Sequence, residues 1–96
     1  MKYNLPEHVE REIIKYAEIH GIKKVILFGS RARGTNRERS DVDIAVSGGN
    51  IRDFRFDMEE EAQTLLMFDV VDLDHHISEE LREEIERDGV VIYEKI

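Results

Sequence analysis

Residues 23–46 read KKVILFGSRARGTNRERSDVDIAV and predict two strands joined by an arginine-rich segment. Residues 23–28 end in four apolar side chains, which favours a buried strand that stops at a Gly-Ser pair. Residues 41–46 alternate between acidic or small side chains and branched apolar ones, so they predict a second strand with one apolar face. Asp41 and Asp43 therefore share the opposite face of that strand.

The remaining sequence predicts helices and strands in the order α-β-β-α-β-α-β. The further elements are a helix between Pro6 and Gly21, a helix from the N-cap Asn50 to about Leu66, a strand over residues 68–73, a helix from the N-cap Ser78 to Asp88, and a strand over residues 90–93. The second helix carries apolar side chains three and four residues apart, at Ile51, Phe54, Met58, Ala62 and Leu65. We expect a single α/β (α+β) domain over residues 1–96, with a mixed sheet of about four strands and the helices on one face.

The charge distribution narrows the class of ligand. The chain has a net charge of −8, but residues 31–39 contain four arginines and one glutamate. One basic spot on an acidic protein favours a small polyanion, such as a nucleoside triphosphate, over extended nucleic acid. The chain has no cysteine, which excludes disulfides and thiolate metal sites, and no run of about eighteen apolar residues. We therefore expect a cytoplasmic protein with no membrane association.

The acid pair and the glycine turn indicate phosphate chemistry. Two carboxylates about 6 to 7 Å apart on one strand face repel each other, and a hard cation such as Mg²⁺ would relieve that repulsion. Gly29 and Ser30 end the preceding strand, where backbone N–H groups and a hydroxyl can approach a phosphate. A hairpin-like return would bring Ser30 and Asp41 to the same sheet edge. This arrangement suits phosphoryl or nucleotidyl transfer.

These residues resemble the signature of the DNA polymerase beta-like nucleotidyltransferase superfamily, Gly-Ser followed by ten residues and Asp-x-Asp. The resemblance is closest to the minimal nucleotidyltransferases, the MntA-like antitoxins of HepT–MntA pairs. Their pattern, GSxARG and then SDxD, is matched at Gly29, Ser30, Ala32, Arg33, Gly34, Ser40, Asp41 and Asp43. The chain length and the element order match over nearly the whole sequence.

The resemblance implies a palm-like sheet, two Mg²⁺ ions and ATP as the nucleotide donor. It assigns Asp41 and Asp43 to the metal and to catalysis, and it places Gly29, Ser30, Arg33 and Ser40 in the nucleotide-binding part of the site. We expect Ser30 and Arg33 to hold the triphosphate.

The superfamily also uses a third carboxylate from a neighbouring strand, for which Asp69, Asp72 and Asp74 are available. The family pattern of one Asp flanked by apolar residues points to Asp69 as third metal ligand and general base. Asp69 and Asp72 lie on opposite faces of an unbent strand, so only one can face the acid pair. Asp72 stays the alternative. The neighbouring His75 and His76 are interpreted as surface or turn residues.

The family further implies that AMP is transferred to a tyrosine of a HepT-like RNase toxin, which is thereby silenced. Two alternatives stay open: a non-catalytic antitoxin that binds nucleotide and occludes its partner, and a nucleotidyltransferase for a small molecule. A polymerase-like palm usually has further domains for the base and the acceptor, whereas 96 residues leave no room for them. We therefore expect a protein partner, or a second subunit in a homo-oligomer, to supply specificity.

Overall fold

The structure is a computed structural model that describes residues 3–96, and within them it contains a four-stranded mixed sheet and four helices. The elements are α1 (Glu7–Ile19), β1 (Lys24–Phe28), α2 (Gly29–Arg33), β2 (Val42–Ser47), α3 (Ile51–Glu60), β3 (Phe68–Asp72), α4 (Glu79–Asp88) and β4 (Val90–Glu94). The predicted α/β class and mixed sheet are confirmed. None of the helices in this part of the chain has the length and apolar character that crossing a bilayer requires.

The sheet order is β3-β2-β1-β4. β1 is antiparallel to both β2 and β4, whereas β2 and β3 run parallel and are connected through α3. In the register, Phe28 lies opposite Asp43, and Asp43 lies opposite Asp69 on the other side. The end of β1 and the beginnings of β2 and β3 therefore meet at one edge of the sheet.

One face of the sheet carries the main hydrophobic core. Helices α1 and α3 pack there, and the fully buried side chains include Val9, Ile13, Leu27, Ile44 and Phe54. The four-residue spacing in α1 and the three- and four-residue spacing in α3 align these side chains on one side of each helix. The buried faces of α1 and α3 are thus those that the spacing of apolar residues predicts.

The second face is also partly covered, so the expectation of helices on one face alone is wrong. Ile85 of α4 is buried against Phe28 and Ala45, with Ile26 and Leu81 packed around them. The physical reason lies in the strands, because β1 and the later part of β2 also present apolar side chains on this face. Those side chains need cover from water, whereas Asp43 and Asp69, near the starts of β2 and β3, place carboxylates at one end of the same face.

Helix α3 ends at Glu60 rather than near Leu66, and Leu65 is 98% exposed instead of packed inside. After the helix, the hydroxyl oxygen of Thr64 accepts a hydrogen bond from the amide of Leu66, and the amide of Gln63 donates to Glu12. These side-chain bonds satisfy backbone groups outside the helix and favour a turn. After this turn the chain enters β3, which runs parallel to β2.

Side-chain caps define the starts of α3 and α4. The side chain of Asn50 accepts from the amide of Asp53 at the start of α3, and Ser78 accepts from Leu81 at the start of α4, as the sequence predicts. On the outer strand β3, the guanidinium of Arg55 donates a 2.8 Å hydrogen bond to the carbonyl oxygen of Val70. Helix α3 is therefore tied to the sheet edge by a polar contact as well as by its apolar face.

Candidate active site

Three carboxylates lie at the sheet edge where β1 ends and β2 and β3 begin. Asp43 and Asp69 are direct register partners on neighbouring parallel strands, and strands in a sheet are about 4.8 Å apart. Asp41 precedes β2 and is exposed, Asp43 is half-buried, and Asp69 is exposed. Asp43 is thus the inner member of the group, and the other two face solvent.

Gly29 allows the glycine turn to lie directly against Asp43. Its φ of +75° is in the left-handed region that favours glycine. A Cβ atom at this position would overlap the carboxylate of Asp43 and come within 3.2 Å of its Cγ. Any larger residue would therefore move the carboxylate. Ser30 follows as the second residue of α2 and is half-buried.

The electrostatics of Asp43 differ from those of an ordinary surface carboxylate. Burial, together with the negative charges of Asp69, Asp41 and Glu84, raises the pKa of Asp43 to about 6, while the positive charge of Arg33 opposes this shift. Glu84 belongs to α4, and sequence reasoning missed it because the helix was not expected on this face. The site therefore concentrates negative charge that a bound cation would relieve.

The basic segment divides into residues with different roles. Arg31 is only 2% exposed, and its guanidinium donates to the carbonyl oxygens of Ser40, Asn4 and Glu38 at 3.1, 3.1 and 2.9 Å. Arg31 therefore stabilises the loop before β2 and is not available to a ligand. The group of exposed arginines is smaller than the sequence suggests. Arg37 is exposed on the loop.

Arg33 and Ser40 are both engaged within the protein. Nη1 of Arg33 donates to Oδ2 of Asp88 at 2.8 Å, although the Arg33 side chain remains 42% exposed. The hydroxyl oxygen of Ser40 accepts from the amide of Arg37 at 2.8 Å, which closes the turn leading into β2. Ser40 thus shapes the loop, and its hydroxyl hydrogen is still available for donation.

Asp72 lies away from the acid group. Its register partner is Val46, three residues beyond the Asp43–Asp69 pair. Its side chain accepts from the amide of Asp74 at 2.8 Å and contacts Nδ1 of His75 at 2.7 Å. Asp72 therefore stabilises the turn after β3, while Asp69 is the acid that the register brings beside Asp43.

The donor chemistry fits a hard divalent cation. Between residues 3 and 96, no three His, Asp or Glu side chains are grouped closely enough to form a ready-made metal cluster. The nearby donors are nevertheless all carboxylate oxygens, and the inner one is crowded by like charges. Mg²⁺ prefers oxygen ligands, keeps several waters, and is usually held by one or two carboxylates together with substrate phosphates. Asp43 and Asp69, with Asp41 beside them, satisfy that requirement.

The mixed sheet, with a glycine turn packed against paired carboxylates at its edge, is that of a nucleotidyltransferase. The chain belongs to the polymerase beta nucleotidyltransferase family, whose sequence model matches residues 11–96. The predicted superfamily and enzyme class are thereby confirmed.

Three similar proteins extend this result. A Methanocaldococcus jannaschii protein named as a protein adenylyltransferase is 35% identical over 78 residues, which cover 81% of this chain and 70% of that protein. A toxin–antitoxin crystal structure with AMP-PNP superposes with a TM-score of 0.69 at 26% identity, covering 90% of this chain and 73% of that one. A structure of an MntA–HepT toxin–antitoxin mutant gives a TM-score of 0.67 at 26% identity with the same coverage.

Proposed function

We propose that the protein transfers AMP from ATP to the hydroxyl group of a tyrosine in a HepT-like partner protein, with Mg²⁺ as cofactor. The observation that carries the proposal is the Asp43–Asp69 pair, held at the sheet edge directly against the Gly29 turn. The family membership supports the nucleotidyl transfer, and the name of the Methanocaldococcus jannaschii relative supports a protein as acceptor.

The nucleotide side of the site consists of Ser30 and Arg33. Ser30 follows Gly29, which packs against Asp43, at the start of α2, and Arg33 ends the same short helix. A phosphate at this turn would meet the hydroxyl and the free N–H groups of the guanidinium. Exposed Arg37 is better solvated, so we assign it a smaller role. The AMP-PNP in the similar toxin–antitoxin structure supports a triphosphate ligand for this turn.

In the proposed reaction, the acceptor oxygen bonds to the α-phosphorus of ATP, the bond to the bridging oxygen breaks, and pyrophosphate leaves. Asp69 accepts the proton of the hydroxyl, since it is exposed and lies beside Asp43. Mg²⁺, which Asp41, Asp43 and Asp69 would hold, supplies charge neutralisation and Lewis acidity when bound. Ser30 and Arg33 orient the phosphates for in-line attack.

The exposure of the site favours a macromolecular acceptor. Asp41 and Asp69 both face solvent, so a partner surface can bring a tyrosine to the carboxylates without an opening movement. A small acceptor would need walls to bind it, and these two carboxylates are not enclosed. The similar toxin–antitoxin structures support a HepT-like protein as the partner that completes the site.

The test is a labelling experiment with ATP and a co-encoded HepT-like protein. We expect label from α-³²P-ATP, and none from γ-³²P-ATP, on the partner in the presence of Mg²⁺, and no transfer with EDTA. Partner variants with single Tyr→Phe changes identify the acceptor, and Asp43→Asn is the control for the site. Inhibition of the partner without any label would contradict the proposal and indicate occlusion instead.

A further inference from the structure

Asp88, the last residue of α4, pairs with two arginines, Arg33 of the candidate site and its own neighbour Arg87. Its side chain is only 10% exposed. It accepts from Nη1 of Arg33 at 2.8 Å, and from Nε and Nη2 of Arg87 at 3.2 and 3.1 Å. Hydrogen bonds from both guanidinium groups hold the pKa of Asp88 below its usual value, with Arg87 the larger influence. The carboxylate is therefore fully occupied by two cations.

The backbone around Asp88 fixes its place next to the glycine turn. Gly89 ends α4, and a Cβ atom there would overlap the backbone of Ile85, so the turn into β4 is tight. β4 begins with Val90, whose register partner is Leu27, two residues before Gly29. The sheet thus anchors Asp88 beside the short helix that carries Arg33.

The Arg33–Asp88 contact leaves Arg33 able to bind an anion. Asp88 engages only Nη1, whereas a guanidinium has five N–H donors, and the side chain stays 42% exposed. Arg87 balances the charge of Asp88, so the group of two arginines and one aspartate keeps a net charge of +1. Arg33 shares the five-residue helix α2 with Gly29, which packs against Asp43, and its positive charge opposes the rise in the pKa of that carboxyl.

We propose that Asp88 is a positioning residue that holds the guanidinium of Arg33 in place for a polyphosphate bound at the Gly29–Ser30 turn. A flexible arginine loses side-chain freedom when it binds a ligand, and a partner that already orients it reduces this loss. The inference rests on the proposed function in taking a nucleoside triphosphate as the ligand. It adds a residue outside the Gly-Ser and Asp-x-Asp pattern, contributed by the C-terminal part of the chain.

The first experiment measures binding to the Asp88→Asn variant of the full chain by calorimetry with Mg²⁺ present. The probes are α,β-methylene-ATP, inorganic tripolyphosphate and adenosine. We expect the two polyphosphates to bind about three- to tenfold more weakly, because partners that orient a binding residue typically have effects of this order or larger. Adenosine binding should not change. Glu86→Gln, at an exposed position of the same helix, is the matched control and should bind all three probes like the parent protein.

A double-mutant cycle separates positioning from a general structural role. If Asp88 acts through Arg33, Arg33→Ala combined with Asp88→Asn should bind tripolyphosphate no more weakly than Arg33→Ala alone. Additive losses, an equal loss of adenosine affinity, or unchanged or tighter polyphosphate binding by Asp88→Asn would each overturn the proposal. A parent protein that binds no polyphosphate would overturn it together with the proposed function.

A measurement on the unaltered protein covers the case in which the variant does not fold. In ¹⁵N NMR of the parent chain, the guanidinium of Arg33 should rotate more slowly than that of exposed Arg37, because Nη1 is held by Asp88. Equal rotation of the two groups would contradict the proposal. If the parent protein binds polyphosphate and the double-mutant cycle shows that Asp88 acts through Arg33, but no AMP is transferred, the result would count against the proposed function alone. Transfer and binding that survive Asp88→Asn would count against the positioning role alone.

Discussion

The two faces of the sheet are built from the same strands but carry different kinds of side chains. Towards α1 and α3, β2 presents the fully buried Val42, Ile44 and Val46. Towards α2 and α4 it presents Asp43 and then Ala45. Alternate residues of one six-residue strand thus serve two purposes, because successive side chains point to opposite faces. Stability and chemistry should therefore be separable by substitutions at adjacent positions.

The largest expected effect is on chemistry alone. Asp41→Asn combined with Asp43→Asn should reduce AMP transfer to the partner below detection, because the carboxylates proposed to hold Mg²⁺ are lost. The free energy of unfolding should stay the same or rise, since repulsion between like charges is removed. Transfer assays and urea denaturation of the same preparations measure both quantities. Transfer at the parent rate would show that the metal assignment is wrong.

For Ile44, the residue after Asp43, we expect the opposite outcome: stability is lost and AMP transfer is kept. Ile44→Ala should lower the free energy of unfolding by about 2–5 kcal/mol, because it removes a fully buried side chain from the main core. Transfer per folded molecule should be close to that of the parent protein at a temperature where the variant is folded. A specific loss of transfer in the folded variant would mean that the two faces are coupled. Urea titration combined with transfer assays distinguishes the two results.

A third test compares two acids of β3. Asp69→Asn should keep most of the nucleotide affinity but slow the chemical step roughly 10²-fold or more, which is the usual contribution of a positioned general base. Asp72→Asn should leave transfer nearly unchanged, because its hydrogen bonds support the following turn. Single-turnover kinetics measure this step. A defect confined to the Asp72 variant would reverse the assignment.

The smallest effect concerns pH and stability. Because the pKa of Asp43 is raised from 3.8 to about 6 in the folded protein, the folded state binds more protons than the unfolded state between these values. Parent stability therefore falls as pH rises through this window, and the penalty persists above it. Asp43→Asn should be more stable than the parent above about pH 6, and the difference should vanish below about pH 4.

The control for this pH test is Gln63→Ala, at an exposed and non-titratable position, whose stability difference from the parent should not vary with pH. Chemical denaturation at several pH values, without divalent cations, gives the required free energies. A stability difference for Asp43→Asn that is constant from pH 4 to pH 8 would mean that this carboxylate is not perturbed by its surroundings.

The sequence predicted the elements of the main core well, because spacing and capping are local signals. The caps at Asn50 and Ser78, the strand order along the chain and the glycine turn all followed from nearby residues. The end of α3 was wrong, since apolar Leu65 continued the helical pattern while Thr64 redirected the backbone. The spacing of apolar residues alone could not decide whether Leu65 is buried on the inner face of α3 or exposed in the turn after it.

The site was predictable only in part, because its motif is local but its surroundings are not. The motif predicted that Ser30 and Asp41 lie at the same sheet edge, and the structure packs Gly29 against Asp43 there, with Asp69 as the register partner of Asp43. Arg31 could not be recognised as buried, since its three partners are backbone carbonyl groups of Asn4, Glu38 and Ser40, which no sequence pattern marks as acceptors. The effect of Glu84 on the pKa of Asp43 and the hydrogen bond between Arg33 and Asp88 depend on which sheet face α4 covers. Nothing in the spacing of a single helix determines that choice.

The hydrogen bond from Arg55 to the carbonyl oxygen of Val70 has a consequence for how other chains can approach. β3 is the outer strand next to the carboxylates, and an open strand edge is a template for pairing with another polypeptide. A guanidinium on that carbonyl blocks one position of such pairing and adds a charge. Strand addition and edge-to-edge aggregation are therefore disfavoured where the acidic groups begin. A partner protein is therefore expected to bind here through side-chain contacts rather than by backbone pairing with β3.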